Sequence, residues 1–313
     1  MWALTFPCVS ARAAERTYRL SMLNNLLYNR VARLHNLTCV YCGCGLTSQT
    51  KTKEHVIGRR FVPKGKLDRQ WNLIVNACAS CNAIKSDFED DISAITLQPD
   101  LRGKYAFEEV KSISDARSKG IKSISRRTNK PVALSMETIK LNINAHDSSI
   151  NLSVELTSPA QVDPLRVYEL SRFQLMAFFY FVTYNKEKQT GGYWPGEFFP
   201  LISCENNDWG NPLLVSFADM TLDWKPRVAA TTAGGFFKLL IKRDPLHECW
   251  SWAIEWNLKR RTIGFFGDRA RLEQLEKSLP ELDWQQLSET IRMRNETPLR
   301  DDLPDKLFII SET

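Results

Sequence analysis

The chain has 313 residues, 43% hydrophobic and 25% charged, a soluble globular composition that argues against both a disordered and a membrane-embedded protein. That length is enough for two domains of ordinary size, each burying its own core. The formal net charge of +6 is modest, but it is clustered. Seven bases (Lys51, Lys53, Arg59, Arg60, Lys64, Lys66, Arg69) stand between positions 51 and 70 against Glu54 and Asp68, and six (Arg117, Lys119, Lys122, Arg126, Arg127, Lys130) lie between 117 and 130 with no acid. Clustered cations attract a polyanion by releasing its counterions, which points to nucleic acid as the partner; the second cluster taken alone reads equally well as a solvated lysine-rich face.

Residues 1–9 are apolar but lack a basic leader, and the longest apolar run, 175–184, is about half of the ~20 residues a membrane span needs. A cytoplasmic chain with no membrane partner is therefore expected. Residues 16–35 carry Tyr18, Leu20, Leu23, Leu27, Val31 and Leu34 at helical spacing, which predicts an amphipathic helix. Residues 87–130 are polar and weakly helical. Alternation over 138–144 and 150–156, around turn-rich 146–149, predicts a hairpin.

Asp163 followed by Pro164 marks a helix start, and that helix should run to about Tyr184, apolar around most of its circumference and buried. Short aromatic and β-branched runs at 198–203, 213–217, 236–241, 250–256 and 262–266 predict strands of an antiparallel sheet. Helices over 269–277 and 284–293 close the chain. Trp250, Trp252, Ile254 and Trp256 share one strand face, which is core behaviour; with Tyr193, Trp194, Trp209 and Trp224 the alternative is stacking on unpaired bases. Lys259, Arg260 and Arg261 read either as the polar end of that strand or as a phosphate contact.

The chemistry concentrates in residues 36–92. Cys39-x-x-Cys42 and Cys78-x-x-Cys81 have the spacing of two zinc knuckles, and four thiolates make a closed, structural tetrahedral site. Cys44 is an alternative to Cys42. His35, His146 and His247 are expected to be structural or exposed, and Cys8, Cys204 and Cys249 to be reduced thiols. Between the pairs lie Lys53-Glu54-His55-Val56-Ile57 and Trp71-Asn72-Leu73-Ile74, and the second pair continues as Cys78-Ala79-Ser80-Cys81-Asn82-Ala83-Ile84-Lys85.

This order resembles the HNH endonuclease family over residues 36–92, under a fifth of the chain. The resemblance implies two strands and a helix around one catalytic Mg²⁺ or Mn²⁺, propped by structural Zn²⁺. It implies His55 as the general base toward water, Glu54 and Asn82 as ligands of the catalytic ion, and Asn72 as the residue that holds the loop and orients His55. Arg59, Arg60, Lys64 and Lys85 become candidate nucleic-acid contacts. The implied products carry 5′-phosphate and 3′-hydroxyl ends. Three departures stand out: Asn82 replaces the last histidine, Glu54 replaces an aspartate, and Gly58 stands where a proline is usual.

The expectation is an α+β chain: an N-terminal helix (1–35), a zinc-stabilised ββα-metal nuclease module (36–92), a helical basic linker (93–135) and an α+β domain with an antiparallel sheet (136–313). The last would select substrate or sense a trigger. The expected activity is metal-dependent cleavage of DNA, in preference to RNA, by association in prokaryotic defence against foreign DNA. A second copy of the chain or proteins of a defence system are the candidate protein partners. The rival reading is a zinc-dependent nucleic-acid-binding module with vestigial nuclease residues.

Overall fold

Residues 31–144, 151–286, 292–300, 302 and 304–310 are described in the computed structural model, which mixes helices and mostly antiparallel sheets in an α+β arrangement. The first sheet joins β1 (Ala32–Arg33), β2 (Lys51–His55) and β3 (Leu73–Cys78) in the order β1-β3-β2, with β2 antiparallel and β1 parallel to β3. Its inner face is set by alternation: Leu73, Val75 and Ala77 enter the core, while Ile74 and Asn76 take the other face. β3 runs directly into α1 (Ala79–Thr96).

The helix expected over 16–35 is corrected where it can be read. Residues 31–35 are extended, because β3 offers a free edge that Ala32 and Arg33 fill; residues 16–30 lie outside the described residues. After α1 come α2 (Val110–Lys122) and a hairpin of β4 (Met136–Asn144) and β5 (Asn151–Pro159), close to the expected one.

α3 (Pro164–Val182) starts as its sequence predicts. Asp163 Oδ1 accepts from Leu165 N at 2.8 Å, Pro164 follows, and Phe173, Leu175, Phe178, Phe179 and Tyr180 are buried. The large sheet comprises β6 (Glu197–Glu205), β7 (Lys225–Thr232), β8 (Phe237–Arg243), β9 (Cys249–Trp256) and β10 (Arg260–Gly267), antiparallel in the order β6-β10-β9-β8-β7. Around it lie α4 (Pro212–Met220), α5 (Arg269–Lys277) and the short pair β11 (Gln285–Gln286) and β12 (Arg292–Met293).

Two expected elements change type. Residues 213–217 belong to α4, because Asn211 caps it by accepting from Leu214 N at 2.9 Å and Pro212 takes the first turn, the same start signal used for α3. In place of a helix over 284–293, the described residues form the β11–β12 pair. β7 was not anticipated; it holds Pro226, next to a register irregularity that lets a residue without an N–H sit on an edge strand.

The large sheet has two buried faces. Trp250, Trp252, Ile254 and Trp256 pack toward α3, while Cys249, Ala253, Ile263 and Phe265 pack toward α4 and α5. The period-two reading of the tryptophans holds, and with Trp252 1% and Trp256 0% exposed these rings have no face left for a base. Lys259, Arg260 and Arg261 are also buried: Arg260 pairs with Glu205 at 2.7 Å and Arg261 with Glu255 at 2.8 Å. They bind the sheet to its surroundings and leave nothing for phosphate.

The same core cluster contains Val40, Val56, Phe61, Leu73 and Ile92 from the first sheet region and Phe178, Phe237, Trp252 and Trp256 from the rest. This cluster spans the first sheet and the inner face of the large sheet, and a second cluster lies on the large sheet's other face, against α4 and α5. Polar bonds tie the first cluster further, with Asn257 Nδ2 donating to Phe61 O and Thr96 Oγ1, and Thr232 Oγ1 donating to Trp71 O. Among the described residues no helix is long and apolar enough to cross a membrane.

Candidate metal centre and the basic sheet face

The ligand sulfurs of Cys39, Cys42, Cys78 and Cys81 all lie within 4.8 Å of one another. A tetrahedron with metal–sulfur bonds of about 2.3 Å has sulfur–sulfur edges of about 3.8 Å, and the Cys42–Cys78 separation is 3.8 Å. The donor set therefore fits Zn²⁺. The first pair sits on a turn closed by Cys39 N to Cys44 O (2.8 Å) and Gly43 N to Cys39 O (2.9 Å). Gly43 has a φ of 76°, the left-handed conformation that costs glycine least.

The second pair is placed by α1. Cys78 is its N-cap, where unpaired N–H groups and the helix dipole favour thiolate, and Cys81 lies in its first turn with its thiol pushed up by burial and by the neighbouring thiols. Burial opposes ionisation of Cys78, but donation from the Cys81 N–H and the neighbouring thiols outweighs it and pulls its pKa down to about 7. Cys44 is exposed and outside the four-sulfur cluster.

Behind this centre α1 faces β2. Asn82 Nδ2 donates to Thr52 Oγ1 at 3.0 Å. One helical turn on, Lys85 is 1% exposed, with Nζ 2.7 Å from Glu54 Oε1 and 2.6 Å from Glu89 Oε1. Burial alone would lower the Lys85 pKa; the two carboxylates more than offset it and hold the ammonium above its ordinary range. Glu89 is shifted up by burial, with Glu54 adding to the effect and Lys85 opposing it. Tyr41 OH also donates to Glu54 Oε1, at 3.3 Å.

Lys85, expected at a phosphate, is thus an internal cation. Glu54, expected on Mg²⁺ or Mn²⁺, is bonded to Lys85 and Tyr41. The Glu54 carboxylate is thus neutralised by an ammonium, while Asn82 spends its Nδ2 on Thr52 and not its amide oxygen.

His55 ends β2 on the opposite face. Register aligns it with Ile74, and Ile74 with Arg33, whereas Glu54 aligns with Val75 on the core side. His55 Nε2 is buried and has no hydrogen-bond partner among the described residues. Its pKa is lowered, first by burial and then by Arg59, Lys53, Lys85 and Arg33, so the neutral form prevails near pH 7. The structure therefore brings Glu54, Lys85 and Glu89 together and sets the His55 side chain apart from them by strand alternation.

Asn72 does hold the loop after His55, though it bonds the backbone and not the imidazole. Its Oδ1 accepts from Ile57 N at 3.3 Å and its Nδ2 donates to Ile57 O at 2.8 Å. Asn72→Ala would leave both groups of the fully buried Ile57 backbone unpaired, at about 1–3 kcal/mol each. We expect a loss of about 2–5 kcal/mol in urea unfolding of the zinc-loaded chain; a loss below about 1 kcal/mol would deny the amide this role.

Lys51, Lys53, Arg59, Arg60 and Lys64 are exposed, as is Arg33 on β1. Arg33, Lys53 and Arg59 make no ion pair with any described residue, so their charge is available around His55. The second basic cluster is largely spent on the protein: Arg126 pairs with Asp87, Arg127 with Glu137, and Lys119 donates to Arg60 O and to Ser93 Oγ. Arg33 was missed because its segment read as helix. Glu89 was missed although its spacing from Lys85 and Asn82 places all three on one helix face. Comparison with protein-family models, curated proteins and solved structures finds no match to this chain.

Proposed function

We propose that the chain is a nucleic-acid endonuclease of the HNH kind, with DNA as the substrate and His55 as the general base. The supporting observation is the pairing of a neutral imidazole with the exposed cations Arg33, Lys53 and Arg59 around it, none of which forms an ion pair among the described residues. The cations would hold a phosphodiester against the outer face of the first sheet, and the His55 imidazole would take the proton of the attacking water. The β2–β3–α1 order with a four-thiol clamp at the helix start is what the HNH resemblance calls for.

Dependence on Mg²⁺ or Mn²⁺ is a finer part of the proposal, and the Lys85–Glu54 pair weighs against it. The same pair favours the second reading, a zinc-clamped nucleic-acid-binding module without chemistry. Supercoiled-plasmid cleavage by wild type and His55→Ala, with and without added divalent ion, separates the two. Nicking that is lost in the variant supports the endonuclease; no cutting by wild type under any condition leaves only the binding module.

A further inference from the structure

We propose that Glu89 is a positioning residue for His55, acting through Gly58 and Lys85; this rests on the endonuclease reading above. The backbone from His55 to Gly58 is held at all four residues: Val56 N donates to Leu73 O at 2.9 Å on β3, and side chains hold the other three. Lys85 Nζ donates to His55 O at 3.2 Å, Asn72 takes both polar groups of Ile57, and Glu89 Oε1 accepts from Gly58 N at 3.1 Å. The same Glu89 oxygen is the one that binds Lys85. A single carboxylate on α1 thus grips both ends of the segment, one directly and one through the ammonium it aims.

Gly58 makes this possible. A Cβ there would lie 2.3 Å from Glu89 Oε2, so a side chain at 58 and the carboxylate of Glu89 exclude each other. Its backbone is outside the left-handed region, so glycine is required for the approach of Glu89 and not for its conformation. The proline that the HNH resemblance would put here has a fixed φ and no N–H to donate. In this chain a hydrogen bond to a helix-borne carboxylate supplies the restraint that a proline ring would supply.

The test uses the full-length, zinc-loaded chain, with kcat and KM measured on plasmid DNA and exchange followed at the Gly58 amide. Glu89→Ala is expected to lower kcat about 10- to 100-fold, the cost of a small misplacement of a reacting group, with KM changed less than about twofold. Exchange at the Gly58 amide should speed up about tenfold or more once its acceptor is gone. Glu89→Gln keeps an oxygen for the Gly58 N–H and should recover part of the loss.

Gly58→Ala should reproduce the loss, and the double variant Gly58→Ala/Glu89→Ala should be no worse than either single one, because both break the same contact. Wild-type kcat in Glu89→Ala, an effect confined to KM, or losses that multiply in the double variant would overturn the proposal. Should Glu89→Ala fail to retain zinc, Gly58→Ala decides, and a kcat equal to wild type overturns it. Absence of cutting by the wild-type chain would instead overturn the endonuclease reading and this role with it.

Discussion

Cys39→Ser and Cys78→Ser chains are expected to lose bound zinc and most of the order of residues 36–92, while the large sheet persists. Each sulfur belongs to a cluster whose members lie within 4.8 Å of one another, and the four join the turn before β2 to the first turn of α1. Without a metal, such a cluster offers weak thiol hydrogen bonds in place of metal–sulfur bonds. Structural zinc binding is worth about 10–16 kcal/mol, much of it folding free energy. Because a kcal/mol moves the midpoint of a chain this size by about 2–4 °C, a strong zinc chelator should lower the Tm by on the order of 20 °C.

The pattern among cysteines matters as much as the size of the effect. Cys44→Ser should leave metal content and Tm where they are, because its sulfur lies outside the cluster and is exposed. A wild-type chain that purifies without metal and melts at the same temperature in chelator would remove the zinc centre. The loss should be partial because the large sheet has its own packing on α3, with Phe178 stacked on Phe237 and Trp256 Nε1 donating to Gln174 Oε1.

What the sequence disclosed depended on the range of each signal. The Asp163–Pro164 start, the period-two tryptophans and the two Cys-x-x-Cys pairs are local patterns, and the structure has a capped helix, a core strand and a sulfur cluster there. Residues 31–35 went wrong where pairing with a distant strand overrides helical spacing, Ala32 lying opposite Leu73, and 284–293 where the segment's ends pair with each other, Gln285 opposite Met293. At the site, residue types were legible but directions were not. Glu54 and His55 are sequence neighbours, and only strand register reveals that one faces Lys85 and the other Arg33. The ion pair that neutralises Glu54 depends on a helix docking that brings Lys85 to it from farther along the chain, which no local pattern encodes.

His55→Ala is expected to lower kcat about 10²- to 10⁴-fold, the usual contribution of a positioned general base, and to leave nucleic-acid affinity nearly unchanged. The imidazole is neutral because burial, then Arg59, Lys53, Lys85 and Arg33, disfavour its protonated form. Its depressed pKa sets the pH response of the free enzyme: kcat/KM should rise with pH through a point below 6.5 and be lost at lower pH, where the ring holds a proton. Charge around the ring belongs to binding and not to proton transfer. Lys53→Ala and Arg59→Ala should therefore weaken affinity and reduce the salt slope by about one unit each at the phosphates they contact. A module that only binds gives the opposite separation, with salt-sensitive affinity, the same effect of Lys53→Ala and no difference between wild type and His55→Ala. An acid limb at or above 6.5 would also count against His55, because it would place the titrating base outside the cationic, desolvated pocket that keeps this ring unprotonated.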